Sequence, residues 1–200
     1  MTIQRSIVVL ATVATLSPFL HGCVPLIAGG AAGSALLVGS DRRSSGAYVD
    51  DQTLEVKIGQ QIGAEQPDAH VNVTSFNRAV LLTGEAPDAA SKTRIELIAR
   101  GMPNVRRVFN ELVIAPPSTL GNRLNDTSLT TKVKTRMLEN REFAPNHVKV
   151  ISERGEVFLL GLVTPTEGNT AARIASETAG VLKVHTLFEY LDPKTGMVSP

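Results

Sequence analysis

Apolar residues recur along this chain in two kinds of pattern, and each pattern occurs twice. Leu54, Ile58 and Ile62 fall at helical spacing, as do Leu129, Val133 and Met137, so each triplet predicts one apolar helix face. Thr53 and Ser128 follow aspartates of the kind that cap helices, which puts the expected helix starts near Asp51 and Asp126. Alternating runs come next, residues 71–76 with 79–83 and residues 148–151 with 157–160. Their junctions, Asn77-Arg78 and Glu153-Arg154-Gly155, suit tight hairpin turns. Gly84 and Gly161 end the second strands. Pro87-Asp88 and Thr164-Pro165 then introduce helices expected over 88–100 and 166–179, and final strands are expected near 105–114 and 181–190.

The two series are copies of one unit. Asp51-Gln52-Thr53-Leu54 returns as Asp126-Thr127-Ser128-Leu129, and His70-Val71-Asn72-Val73 returns as His147-Val148-Lys149-Val150. Val105-Arg106-Arg107-Val108 returns as Val181-Leu182-Lys183-Val184, and the period stays at 75 to 77 residues. Such fixed self-similarity marks a repeated structural unit. Each unit reads α-β-β-α-β, and a right-handed crossover into the last strand leaves two helices on one face of a small three-stranded mixed sheet. The fold class is therefore α+β, in two tandem domains. The first is expected over residues 48–115, a Pro- and Gly-containing linker over 116–123, the second over 124–192 and a tail over 193–200.

The N-terminal part has a different grammar. Arg5 precedes an uncharged run, 7–16, whose ten residues are too few to span a bilayer core of roughly 30 Å. Leu20-His21-Gly22-Cys23 resembles the lipobox of bacterial lipoproteins. The expectation is a signal peptide over 1–22, removed to leave Cys23 as the first mature residue. Cys23 would carry a covalent diacylglycerol and an acyl chain, with no other cofactor. It is the only cysteine, and a lone thiol in an oxidising compartment would otherwise be an unpaired liability. Val24, where a sorting Asp would stand, favours the outer membrane, lipid-anchored and facing the periplasm. Residues 23–47 form the expected tether. Gly29 and Gly33 make a GxxxG spacing within it, but Pro25 and the marginal length favour a flexible segment near the bilayer over a span. No Lys-Ser or Lys-Thr follows these glycines, so they make no phosphate loop.

Composition narrows the functional classes. A hydrophobic fraction of 42% and a charged fraction of 20% describe a globular chain, and 4% aromatics with no Trp require aliphatic cores. A net charge of +1 provides no whole-chain attraction for nucleic acid, and no nucleic-acid partner is expected. Local clustering is another matter. Lys132, Lys134, Arg136 and Arg141 crowd the first helix of the second repeat, opposed nearby only by Glu139 and Glu142. Lys132 and Arg136 share a face beside the Leu129-Val133-Met137 stripe. The matching helix of the first repeat carries Glu55 and Lys57 and lacks this bias. Two readings stand for the second-repeat helix. It lies at an anionic membrane, where each cation contributes about 1 kcal/mol, or its stripe packs on the sheet while the cations solvate the outer face. Packing is the stronger reading for the stripe; the cations leave both open.

Catalytic patterns are missing. There is no Ser-His-Asp signature and no glycine-flanked nucleophile, and Glu153, Glu156 and Glu167 are dispersed around turns. His70 and His147 are equivalent in the two repeats, which favours a shared role at a strand start; neither they nor His185 have metal-ligand spacing. No enzyme and no metal site are expected.

The α-β-β-α-β order, the glycine after the second strand, and the phrases Asn125-Asp126-Thr127, Thr130-Thr131-Lys132-Val133 and Gly155-Glu156-Val157-Phe158-Leu159 resemble the BON-domain family of bacterial envelope proteins. Two copies behind a lipobox are similar to its dual-BON outer-membrane lipoproteins, over about residues 48–191. The resemblance implies binding of anionic, phosphatidylglycerol-like phospholipid chiefly through the second domain. It also implies support of envelope integrity and a presence at division sites. The candidate lipid-binding set is then Ser128, Leu129, Lys132, Val133, Lys134, Arg136, Met137 and Arg141, with Gly84 and Gly161 structural. Members of this kind can carry an aromatic where this chain has Ser128. A Trp or Phe would anchor at a headgroup boundary, and Ser would not. The rival function is a protein-binding adaptor or scaffold in the envelope. The expected state is a monomer or weak oligomer, on an anionic membrane and with room for an envelope protein partner.

Overall fold

A computed structural model describes residues 41–198; the signal segment, Cys23 and the 24–40 stretch lie outside the described residues. The first repeat comprises α1 (Ser45–Glu65), β1 (His70–Phe76), β2 (Ala79–Ala86), α2 (Ala89–Arg100), β3 (Arg107–Asn110) and β4 (Val113–Ile114). The second comprises α3 (Leu120–Glu139), a single 3-10 turn at Pro145–His147, β5 (Val148–Glu153), β6 (Glu156–Val163), α4 (Pro165–Ser176) and β7 (Lys183–Tyr190). β1 and β2 are antiparallel, and β3 and β4 both run parallel to β2; β5, β6 and β7 repeat this order. The second repeat has the expected three strands. In the first, the last strand is broken at Glu111-Leu112, where the buried Leu112 turns into the core.

The helix starts differ from the sequence expectation. Ser44 caps α1 through Oγ, which accepts from the Ala47 N–H at 3.1 Å, and Thr119 caps α3 in the same way from Asn122 at 3.3 Å. Residues 45–47, expected in the tether, and 120–123, expected in the linker, are therefore helical. Asp51 and Asp126 do not cap; they lie inside the helices and are buried. Both hairpin turns have positive φ at their two central residues, 51° and 63° at Asn77 and Arg78 and 55° and 76° at Arg154 and Gly155, the type I′ pattern. The turn N–H groups point at the aspartates. Asp51 accepts from the N–H groups of Asn77 and Arg78 at 2.8 and 2.7 Å, and from Ser75 Oγ at 2.7 Å. Asp126 accepts from the N–H groups of Arg154 and Gly155, both at 2.9 Å. One carboxylate per repeat thus ties helix to hairpin, and each bond to a charged acceptor contributes about 1.5–3 kcal/mol.

Gly84 and Gly161 answer to close backbone approach. A Cβ on Gly84 would stand 2.2 Å from the His70 carbonyl oxygen, and one on Gly161 would stand 2.4 Å from that of His147. Gly84 also has φ +109°, a conformation that side chains avoid.

Each repeat buries its helices on one sheet face. Leu54, Ile58 and Ile62 meet Val80, Leu82 and Ile95 in the first; Leu129, Val133 and Met137 meet Val150, Leu159 and Ile174 in the second. The opposite faces meet each other. Phe76 and Leu81 of one sheet pack with Phe158, Leu160 and Leu162 of the other in a third core. Both faces of β2 and β6 are consequently buried, which explains their near-continuous apolar runs. Polar contacts frame this core: Lys149 Nζ donates to Glu55 Oε1 at 2.6 Å, Asn72 Nδ2 to Glu153 Oε2 at 2.8 Å, and Arg106 to Glu189 at 3.1 Å. Adjacent arginines add a strap. Arg42 reaches Glu167 at 2.7 Å and the Leu162 carbonyl oxygen at 2.9 Å, both in the second repeat. Arg43 binds Asp51 at 2.9 Å and covers the Phe76 ring at 4.3 Å, both in the first. Among the described residues no helix is long and apolar enough to cross a membrane.

Candidate lipid-binding face of the second repeat

The structure divides the candidate set. Leu129, Val133 and Met137 are 5%, 0% and 1% exposed. They belong to the second core, and no bilayer touching the folded domain reaches them. Their place in the candidate set is corrected accordingly: the stripe exists to pack α3 on its sheet. Ser128, Lys132, Lys134 and Arg141 are exposed, while Arg136 is half-buried.

The cations do not form one patch. At 100° per residue, Lys132 and Lys134 project from nearly opposite sides of α3. Lys132 and Arg136 lie toward the C-terminal end of α4, where they line an open cleft of about 520 Å³ with Thr131, Thr135, Thr178 and Ala179. Arg136 is held there: it donates to Thr178 Oγ1 at 3.1 Å and stands 3.6 Å from the Glu177 carboxylate. Lys134 belongs to the other flank, and Arg141 lies past the end of the helix at Glu139. Lys132 also lines a second cavity, of about 510 Å³, with Asn125, Ser128, Arg154, Gly155 and Leu182. It stands between two hollows, and among the described residues its ammonium forms no ion pair with the neighbouring acids Asp126 and Glu177. Asp126 has both oxygens on the hairpin N–H groups. Glu177 faces Arg136 and, at 3.4 Å, Arg173.

Arg154 and Leu182 were absent from the sequence-derived set. Leu182 is 79% exposed. The signal that could have found it is the repeat alignment, which puts a leucine where the first copy has Arg106.

The histidines are paired locally. His70 Nδ1 lies 2.9 Å from Glu85, His147 Nδ1 3.7 Å from Glu167, and His185 bonds Glu156 while stacking on Phe158 at 4.4 Å between ring centroids. Among the described residues, no group of three or more His, Cys, Asp or Glu is placed to hold a metal ion.

Two stacked copies of an α-β-β-α-β unit, each with a glycine at the strand crossing, define a tandem BON protein. The BON domain family matches residues 50–116 and 125–192, and the chain belongs to it. It is 41% identical over 177 residues, 87% of this chain and 91% of the relative, to "Outer membrane lipoprotein DolP" of Haemophilus influenzae. It is 34% identical to "21 kDa hemolysin" of Actinobacillus pleuropneumoniae, over 76% of this chain and 79% of that one. It is 24% identical to "Osmotically-inducible protein Y" of Escherichia coli, over 74% and 76%. The first relation covers nearly the whole chain and supports the outer-membrane location and an envelope-associated role.

Proposed function

We infer that this chain is an envelope lipoprotein, held on the outer membrane by a lipidated Cys23, whose second BON domain binds anionic phospholipid and so supports envelope integrity. It acts by binding, with no catalytic step. The observation that carries this reading is the asymmetry of the first helices: α3 presents Lys132 and Lys134 to solvent, with Arg141 exposed just past its end, whereas on α1 Glu55 is turned inward onto Lys149 and the Ser75 N–H. Lys132 opens onto two adjoining hollows, so its charge is available to a phosphate. Cations near an anionic surface each add about 1 kcal/mol, and three or four suffice to orient a chain already held nearby by an anchor. The test is titration of the isotopically labelled folded unit, starting at Ser40, with phosphatidylglycerol and with neutral micelles. The expected result is selective amide shifts over 128–141 with the anionic lipid. Shifts that are absent there, or identical with neutral lipid, would overturn the reading in favour of a protein-binding adaptor.

A further inference from the structure

The hairpin turn and the loop before the last strand touch in the same way in both repeats. The Arg106 N–H donates to the Arg78 carbonyl oxygen, and the Leu182 N–H donates to that of Gly155, each at 2.9 Å. The side chains at these places differ. In the first repeat Arg106 runs to Glu189. In the second, Gly155 has φ +76°, and a Cβ there would stand 2.9 Å from Leu182 Cδ1 and 3.1 Å from Cγ. The bare glycine is the seat on which the leucine lies. Leu182 is nevertheless 79% exposed, the highest value among the large apolar side chains described. Its immediate company is cationic and polar: Lys132, Arg154, Ser128 and Asn125 line the same cavity of about 510 Å³. The one carboxylate in that lining, Asp126, is engaged by the turn N–H groups, and Arg154, its side chain 48% exposed, makes only a long 3.5 Å contact to Glu85. Leu124, one turn before Ser128 on the same side of α3, is exposed as well.

We propose that Leu182, seated on Gly155, is the apolar insertion point of the second repeat into an anionic bilayer, with Lys132 and Arg154 engaging lipid phosphates beside it. An apolar tip flanked by cations matches the layering of a membrane surface, where phosphates lie just outside the hydrocarbon. It also places the anchoring role on the α4–β7 loop, away from Ser128, where the helix offers none. The proposal rests on the reading of the second domain as a lipid binder and specifies its contact.

The chain contains no tryptophan, so a single introduced indole reports without background. The full chain carrying Leu182→Trp is reconstituted in phosphatidylcholine vesicles with and without phosphatidylglycerol, and a parallel preparation carries Ser128→Trp. The expected result is a blue-shifted L182W emission in anionic vesicles. Quenching by acyl-chain-brominated lipid should be about twice as strong there as in neutral ones or stronger. Adding Lys132→Glu and Arg154→Glu should abolish that difference. A water-like L182W signal alongside a shifted S128W signal would overturn the insertion point while leaving the second domain a lipid binder. Water-like signals from both would overturn both. An L182W shift equal in neutral and anionic vesicles would overturn the role given to Lys132 and Arg154.

Discussion

In the first repeat the hairpin turn ends on Arg78 and is bridged by Arg106; in the second the same places hold Gly155 and Leu182. Everything beneath them is shared: a helix aspartate on the turn N–H groups, a glycine under a histidine carbonyl, and a parallel last strand. The comparison separates two kinds of position. The helix aspartate and the strand glycine that fix the backbone frame are the same in both copies. Residues that emerge from the frame into solvent have diverged: Arg106 of the first copy pairs with Glu189 of the second, whereas its counterpart Leu182 is left exposed beside Lys132 and Arg154, the latter 3.5 Å from Glu85 of the first copy.

Five experiments sharpen or break this contrast. The largest effect is expected at the strand glycines. Gly84→Ala meets both a positive φ and a backbone atom at 2.2 Å, and should cost about 3 kcal/mol or more in urea unfolding. Gly161→Ala, with the clash alone, should cost less; equal costs would show that the φ of Gly84 is immaterial. Next, Asp51→Ala should destabilise by about 2–4 kcal/mol and Asp126→Ala by less, because Asp51 also holds Ser75 and Arg43.

The strap comes third. Burial works against the Glu167 charge, but Arg42 and the Thr164 N–H and hydroxyl outweigh it and hold the carboxyl down at about 2. A lowered carboxyl stabilises above its ordinary range, and that stability is lost as pH falls from about 4.5 toward 2. Arg42→Ala should therefore cost about 1–2 kcal/mol at neutral pH and flatten this acid limb, read by thermal melts across pH.

Fourth, Lys132→Glu should weaken recruitment of the folded unit to phosphatidylglycerol vesicles about fivefold, while Lys57→Glu on α1 leaves it unchanged. Equal losses would erase the functional asymmetry of the repeats. The smallest effect concerns Glu153, which burial lifts above the usual carboxylate range, against the Asn72 hydrogen bond and helped by Glu85 and Asp126. Its ionised form is the disfavoured one in the fold, so the cost appears as pH rises. Glu153→Gln should raise the melting temperature slightly at neutral pH and not at acidic pH.

The repeat, its element order and the structural glycines were legible in the sequence because each leaves a local mark: a period, an alternation, a residue without a side chain. Asp51 and Asp126 were misread because an aspartate before Thr or Ser looks the same whether it caps its own helix or serves a turn about 26 residues away. The face-to-face sheets had a signal that alternation alone did not exploit, since Leu81, Phe158, Leu160 and Leu162 are apolar on the side facing away from the helices. The cation cluster illustrates the opposite failure. Lys132 and Lys134 are neighbours in sequence, yet helical geometry sends them to different flanks, and Leu182 joins Lys132 only through the fold.

Arg42 and Arg43 are consecutive, yet one grips the second repeat and the other the first. This has a mechanical meaning. A pull arriving along the chain from its N-terminal side meets a fork before it meets a helix, and the load divides between the two repeats at a single peptide bond.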